Sequence, residues 1–121
     1  MTEIKIKRIY SPSSPGDGRR ILVDRLWPRG IKKADAALDQ WARDIAPSTE
    51  LRKWFSHDAA RFDTFAERYA AELAGNPAWP EFLSDVLACD TVTLLYSARD
   101  EQHNNAAVLA KMIEKEQPGG K

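Results

Sequence analysis

Residues Thr91 to Ser97 read TVTLLYS, a continuous apolar run of strand length without a charged side chain. A strand that meets water on one face alternates apolar and polar residues. An unbroken run is covered on both faces, as inside a parallel sheet between helices. Arg20 to Leu26 (RILVDRL) makes the same demand through its Ile-Leu-Val centre and ends in charged residues, and Trp27-Pro28-Arg29-Gly30 then breaks it. Glu3 to Tyr10 (EIKIKRIY) alternates apolar and charged residues, the period of a half-exposed strand. Ser11 to Gly18 (SPSSPGDG) is a loop on composition. Leu38 to Ile45 (LDQWARDI) fits either a short strand or a helical turn.

Helical spacing governs the middle of the chain. Ser48 is placed to cap a helix with Leu51, Trp54 and Phe55 on one stripe. Asp58 caps the next, which keeps Phe62, Phe65, Ala66, Tyr69 and Leu73 on one face until Gly75 ends it. Asn76-Pro77 opens a third, carrying Trp79, Phe82, Leu83, Val86 and Leu87. A last helix turns Ala106, Leu109, Ala110 and Ile113 inward. Strands joined by helical crossovers predict an α/β fold: a small, mostly parallel sheet flanked by helices in a three-layer, Rossmann-like arrangement. Residues 1–121 read as a single domain without internal repeats, and 117–121 as a frayed tail.

Of the 121 residues, 43% are hydrophobic and 30% charged, which places the chain with ordinary globular domains. No apolar run nears the roughly 18 residues a membrane span needs. The N-terminus lacks the apolar block of a signal peptide, and Cys89 is the only cysteine, so a reducing, cytoplasmic location without a disulfide framework is expected. Cys89, Trp41, Trp54 and Trp79 read as packing residues, and His57, at a helix junction, as structural. The two histidines are far apart, and neither a P-loop nor a G-x-G-x-x-G is present, so no metal or cofactor is expected.

Lys plus Arg and Asp plus Glu balance at 18 each, yet Arg19 to Lys33 holds six basic residues against one acid, Asp24. A local basic field in a neutral chain suggests a focused anion site. In open α/β sheets, ligands collect beyond the carboxyl ends of the strands. Two segments end strands here: Asp24 to Gly30, and Tyr96 to Asn105, which leads into the last helix and its positive dipole end. Arg25, Arg29 and Arg99 can offer fork-shaped donors to a phosphate or carboxylate. Trp27, Ser97, Asn104 and Asn105 complete the ligand-binding candidates, and Asp24, Asp100 and His103 are the acid/base candidates. The arginines can equally pair with Asp24 and Asp100, and Asp100 or Asn104 can serve only as a helix cap.

The segments ILVDRLWPRGIKK (Ile21 to Lys33), WARDIAPSTELRKWFSHD (Trp41 to Asp58) and LLYSARDEQHNNAAVLAKM (Leu94 to Met112) closely resemble the YeaO-like branch of the bacterial family defined as domain of unknown function 488. The resemblance covers nearly the whole chain and implies a compact, stand-alone cytoplasmic α/β protein. Longer relatives carry a Cys-His-Arg tripeptide near the start of the last helix. This chain has Asn104-Asn105-Ala106 there, with His103 just before, so the resemblance supplies no thiol nucleophile or thiol ligand.

The leading expectation is a cleft for a small phosphate- or carboxylate-bearing ligand, nucleotides included, with enzymatic turnover left open. One alternative is a nucleic-acid-binding module using the Arg19 to Lys33 stretch with Trp27 for stacking. Another is a non-catalytic interaction protein presenting helix faces such as that of Trp79 and Phe82.

Overall fold

The structure is a computed structural model and describes residues 1–117. Four strands form one parallel sheet: β1 (Glu3–Arg8), β2 (Arg19–Leu22), β3 (Gln40–Trp41) and β4 (Thr91–Tyr96), in the order β1-β4-β2-β3. The apolar run therefore lies inside the sheet, with Val92, Thr93, Leu94, Leu95 and Tyr96 all buried. Among the described residues five helices accompany it: α1 (Lys33–Ala36), α2 (Thr49–Phe55), α3 (Phe62–Ala74), α4 (Trp79–Leu87) and α5 (Asn105–Lys115).

Strand order divides the two faces. The connections from β1 to β2 and from β2 to β3 run one way across the sheet, and the connection from β3 to β4 runs back. Crossovers of one handedness must then lie on opposite faces. The return connection carries α2, α3 and α4. Their residues Leu51, Phe55, Phe65, Tyr69, Leu73, Phe82 and Val86 join Leu109 and Ile113 of α5 against Ile21, Val23, Val92, Leu94 and Tyr96. The other face buries a smaller set, Ile9, Leu22, Ala36 and Leu95, with Trp27, Ile31, Leu38 and Trp41 half-buried around it. Helical cover is thus uneven: one layer holds four helices, the other a four-residue helix and loops.

The capping residues behave as their chemistry requires. The Ser48 hydroxyl accepts from the Leu51 amide, Asp58 accepts from the Ala60 amide ahead of α3, and the Asn104 side chain accepts from the Ala107 amide. Leu38 to Ile45 resolves into both alternatives, strand β3 followed by a single 3₁₀ turn at Arg43–Ile45.

Several sequence expectations need correction. The strand expected over Arg20 to Leu26 stops at Leu22; Val23 still donates to the Leu95 carbonyl at 3.0 Å, and Leu26 is 58% exposed. Beyond Val23, Asp24 and Arg25 spend their side chains on neighbouring segments, which ends the ladder. β1 likewise ends at Arg8, not Tyr10. Cys89 packs against the core as expected but is half-buried, its Sγ 3.4 Å from the Asp85 carbonyl. Gln117 is anchored, not frayed: its side-chain amide accepts from the Thr2 amide at 2.9 Å and donates to the Thr2 carbonyl at 2.8 Å. The rest of the expected tail, 118–121, lies outside the described residues.

A buried charge cluster closes the thinner face. Asp17, 3% exposed, receives Lys7 Nζ at 2.7 Å and Arg20 Nη1 at 2.5 Å, together with the amide and hydroxyl of Ser14. Burial alone pushes the Asp17 carboxyl up. Its hydrogen bonds from Lys7, the Ser14 amide, Arg20 and the Ser14 hydroxyl outweigh that and hold it well below the usual carboxylate range. The Asp17 carbonyl takes the Thr93 hydroxyl at 2.7 Å, which ties the loop to β4. Gly18 follows at φ 64°, where a Cβ would stand 2.3 Å from the Thr91 carbonyl oxygen, so only glycine fits.

Candidate functional site

Both polar strand-end segments arrive at one rim because β2 and β4 are adjacent and parallel. One carboxylate joins them. Asp24 Oδ2 accepts the Ser97 amide at 3.0 Å and the Ser97 hydroxyl at 2.8 Å. Asp24 Oδ1 accepts Asn105 Nδ2 at 3.1 Å, and the same Nδ2 donates to the Val23 carbonyl at 2.9 Å. The ends of β2 and β4 and the first turn of α5 are therefore held together by the side chain of Asp24. Its own carbonyl accepts the Trp41 indole N–H at 2.7 Å, which adds β3.

Beside this clasp lies a cavity of about 310 Å³. Asp24, Arg25, Trp27 and Arg29 line it from the first segment, and Ser97, Asn104 and Asn105 from the second. Phe55 and Phe65 stand in its wall, their rings stacked with centroids 4.2 Å apart. The upper loop is fixed by Trp27 Nε1, which donates to the Ile31 carbonyl at 2.7 Å, and by the Tyr10 hydroxyl, which donates to the Arg29 carbonyl at 2.8 Å.

The arginines divide by what they touch. Arg25 donates from Nε to the Pro47 carbonyl at 2.9 Å and from Nη2 to the Ala46 carbonyl at 3.2 Å, so most of its fork braces the segment ahead of α2. Arg29 is exposed and Arg52 half-buried. Both line the cavity, and neither guanidinium has a hydrogen-bonding or ion-pair partner among the described residues. Arg99, expected as the third anion donor, is exposed and does not line the cavity. Arg52 supplies a third guanidinium instead.

Asp100 and His103 also stand outside the cavity. Asp100 Oδ1 accepts the amides of Gln102 at 2.9 Å and His103 at 3.0 Å, while Oδ2 lies 2.9 Å from His103 Nδ1. The Gln102 amide, then the His103 side chain and amide, hold the Asp100 carboxyl below its ordinary range. His103 meets the ring of Phe62 edge-on, centroids 5.1 Å apart. The pair turns the chain locally between β4 and α5. Asn104 caps α5 and donates from Nδ2 to the Asp100 carbonyl at 2.9 Å.

Sequence reasoning missed Arg52, Tyr10 and the position of His57, which lines the cavity from the left-handed backbone that follows α2 (φ 57°). Arg52 stands three residues before the buried Phe55 on α2, a local cue that does not say which cavity the helix faces. Elsewhere in the basic stretch, Arg19 donates to Gln40 Oε1 at 3.0 Å. Arg20 serves Asp17 and the carbonyls of Ala36 and Ala37. Among the described residues, no group of three or more His, Cys, Asp or Glu side chains is arranged to hold a metal ion, and no helix is long and apolar enough to cross a membrane.

The chain matches the family described as the inactive DUF488-N3 subclade over residues 3–119. It is 52% identical over 110 residues to a protein named YeaO from Escherichia coli (strain K12), covering 91% of this chain and 96% of the relative. It is 42% identical over 112 residues to Mb3100c from Mycobacterium bovis and to Rv3073c from Mycobacterium tuberculosis, covering 93% of this chain and 94% of each relative. No solved structure matches the chain significantly.

Proposed function

The chain belongs to the inactive DUF488-N3 subclade, and from that premise we propose that it is a bacterial cytoplasmic protein that binds a small phosphate- or carboxylate-bearing ligand without turning it over. The observation that carries this reading is the pair of unpaired guanidinium groups, Arg29 and Arg52, on one cavity of about 310 Å³. Paired arginine forks are the side chains best matched to oxyanions, and the volume sits at the small end of ligand pockets.

Binding without chemistry is supported by what lines the wall. The Ser97 hydroxyl is committed to Asp24, and both Asp24 oxygens are taken up by Ser97 and Asn105. A nucleophile needs a free base within reach, and Asp24, the base beside the Ser97 hydroxyl, already accepts the Ser97 amide and Asn105. Cytoplasmic residence accords with the single cysteine. The nucleic-acid alternative has less support, because Arg19, Arg20 and Arg25 spend their guanidinium groups on the protein itself.

The test is a thermal melt of the full chain in inorganic phosphate against chloride at equal ionic strength. Phosphate at a hundredfold its dissociation constant stabilises a folded protein by about 2.7 kcal/mol. Arg29→Ala and Arg52→Ala are expected to lose that rise while their phosphate-free melting temperatures stay near wild type. No rise in the wild-type protein, or an equal fall of both variants without phosphate, overturns the reading.

A further inference from the structure

The charged residues on the cavity wall do not balance. Arg25, Arg29 and Arg52 face one carboxylate, Asp24, which leaves an excess of two positive charges, His57 not counted. The Asp24 carboxylate is already satisfied by Ser97 and Asn105, so it cannot turn to neutralise a cavity arginine without losing those bonds. A ligand with one negative charge leaves one positive charge on the wall uncompensated, whereas a dianion cancels the excess.

Donor geometry points the same way. Arg29 and Arg52 each present a fork that takes two oxygens, and neither fork is occupied from within the protein. A carboxylate has two oxygens and fills one fork. A phosphate monoester has three terminal oxygens, enough for two forks that share one.

We propose that the cleft selects a phosphate monoester, a dianion with three terminal oxygens, over carboxylates and over sulfate monoesters. The proposal rests on the anion-binding reading above and adds the class of head group. The discriminating set is phenyl phosphate, phenyl sulfate and benzoate, titrated calorimetrically into the full chain. Phenyl sulfate matches the phosphate ester in shape and oxygen count and differs in charge, while benzoate lacks the third oxygen as well.

At about pH 7.5, where a phosphate monoester carries close to two charges, phenyl phosphate should bind at least about tenfold tighter than phenyl sulfate, a factor that needs about 1.4 kcal/mol from the extra charge. At about pH 5 the ester retains one charge, and the ratio should collapse toward one. His57, Asp24, Tyr10 and the three arginines face both esters alike, and phenyl sulfate, whose charge stays fixed, controls for any change in the protein. Arg52→Gln removes one of the two excess charges and should shrink the ratio at the higher pH. Equal binding of the two esters at that pH overturns the selection and leaves an anion cleft standing. Failure of all three ligands to bind overturns the cleft as well. A wild-type ratio in Arg52→Gln overturns the charge argument, and should that variant fail to fold, the wild-type pH series still decides it.

Discussion

Asp24→Ala removes the carboxylate on which the ends of β2 and β4 and the start of α5 converge. Three hydrogen bonds go with it, from the Ser97 amide, the Ser97 hydroxyl and Asn105 Nδ2. Bonds to a charged acceptor contribute about 1.5–3 kcal/mol each, and bonds that share one acceptor group do not add fully. Asn105 keeps its second acceptor, the Val23 carbonyl, and Asp24 is half-buried, so water recovers part of the loss. The net cost is about 3 kcal/mol, which lowers the melting temperature of a domain this size by about 10 °C. Asp24→Asn keeps one oxygen for Ser97 but turns its amide toward Asn105 Nδ2, donor against donor, and should cost about 1–2 kcal/mol. Urea unfolding followed by tryptophan fluorescence reads both variants, because Trp27 and Trp41 pack beside the clasp with ring centroids 5.3 Å apart. A loss below about 1 kcal/mol in Asp24→Ala, the range of an exposed polar contact, would show that the three segments are held by apolar packing alone.

Two further outcomes follow from the thinner face of the sheet. The Asp17 carboxyl is held low in the folded state and titrates near its ordinary value of about 4 when unfolded. Its contribution is therefore complete above about pH 4 and is lost as pH falls toward the folded value. Stability measured by urea unfolding should drop over that interval and drop less in Asp17→Asn; parallel curves would refute the assignment. Gly18→Ala forces a Cβ to 2.3 Å from the Thr91 carbonyl oxygen at positive φ. It should cost more than about 2 kcal/mol, by denaturant midpoint, or abolish folding; a smaller loss would mean that the loop shifts freely.

What could be read from the residues was local or periodic. Ser48, Asp58 and Asn104 announced their capping roles by type and by the apolar stripes that follow them. The TVTLLYS run announced a strand covered on both faces. The meeting of the Asp24 and Ser97 segments needed only that both strands run parallel, since the same end of each then lies on one rim. The assignment of Arg99 had a weaker basis, because a strand-end arginine can face the rim or the solvent, and the turn at Asp100 decides between them. Arg52 was hidden for a different reason: its place on the cavity wall depends on how the β3–β4 connection returns across the sheet. The uneven helical cover was equally illegible, since it follows from strand order and no single residue encodes strand order.

That order also fixes when the molecule can assemble. β1 and β2 do not pair with each other; β4 joins them, and it follows 90 residues of chain. Until Thr91–Tyr96 emerge, β1 is unpaired and β2 has only the two residues of β3 beside it, and the apolar faces of α2, α3 and α4 have no complete sheet to cover. Contacts of such long sequence separation slow folding and prolong the exposure of sticky surface. A chain that ends before β4 therefore leaves those apolar faces uncovered, and the cavity at the strand ends comes into being only once β4 and the start of α5 have been made.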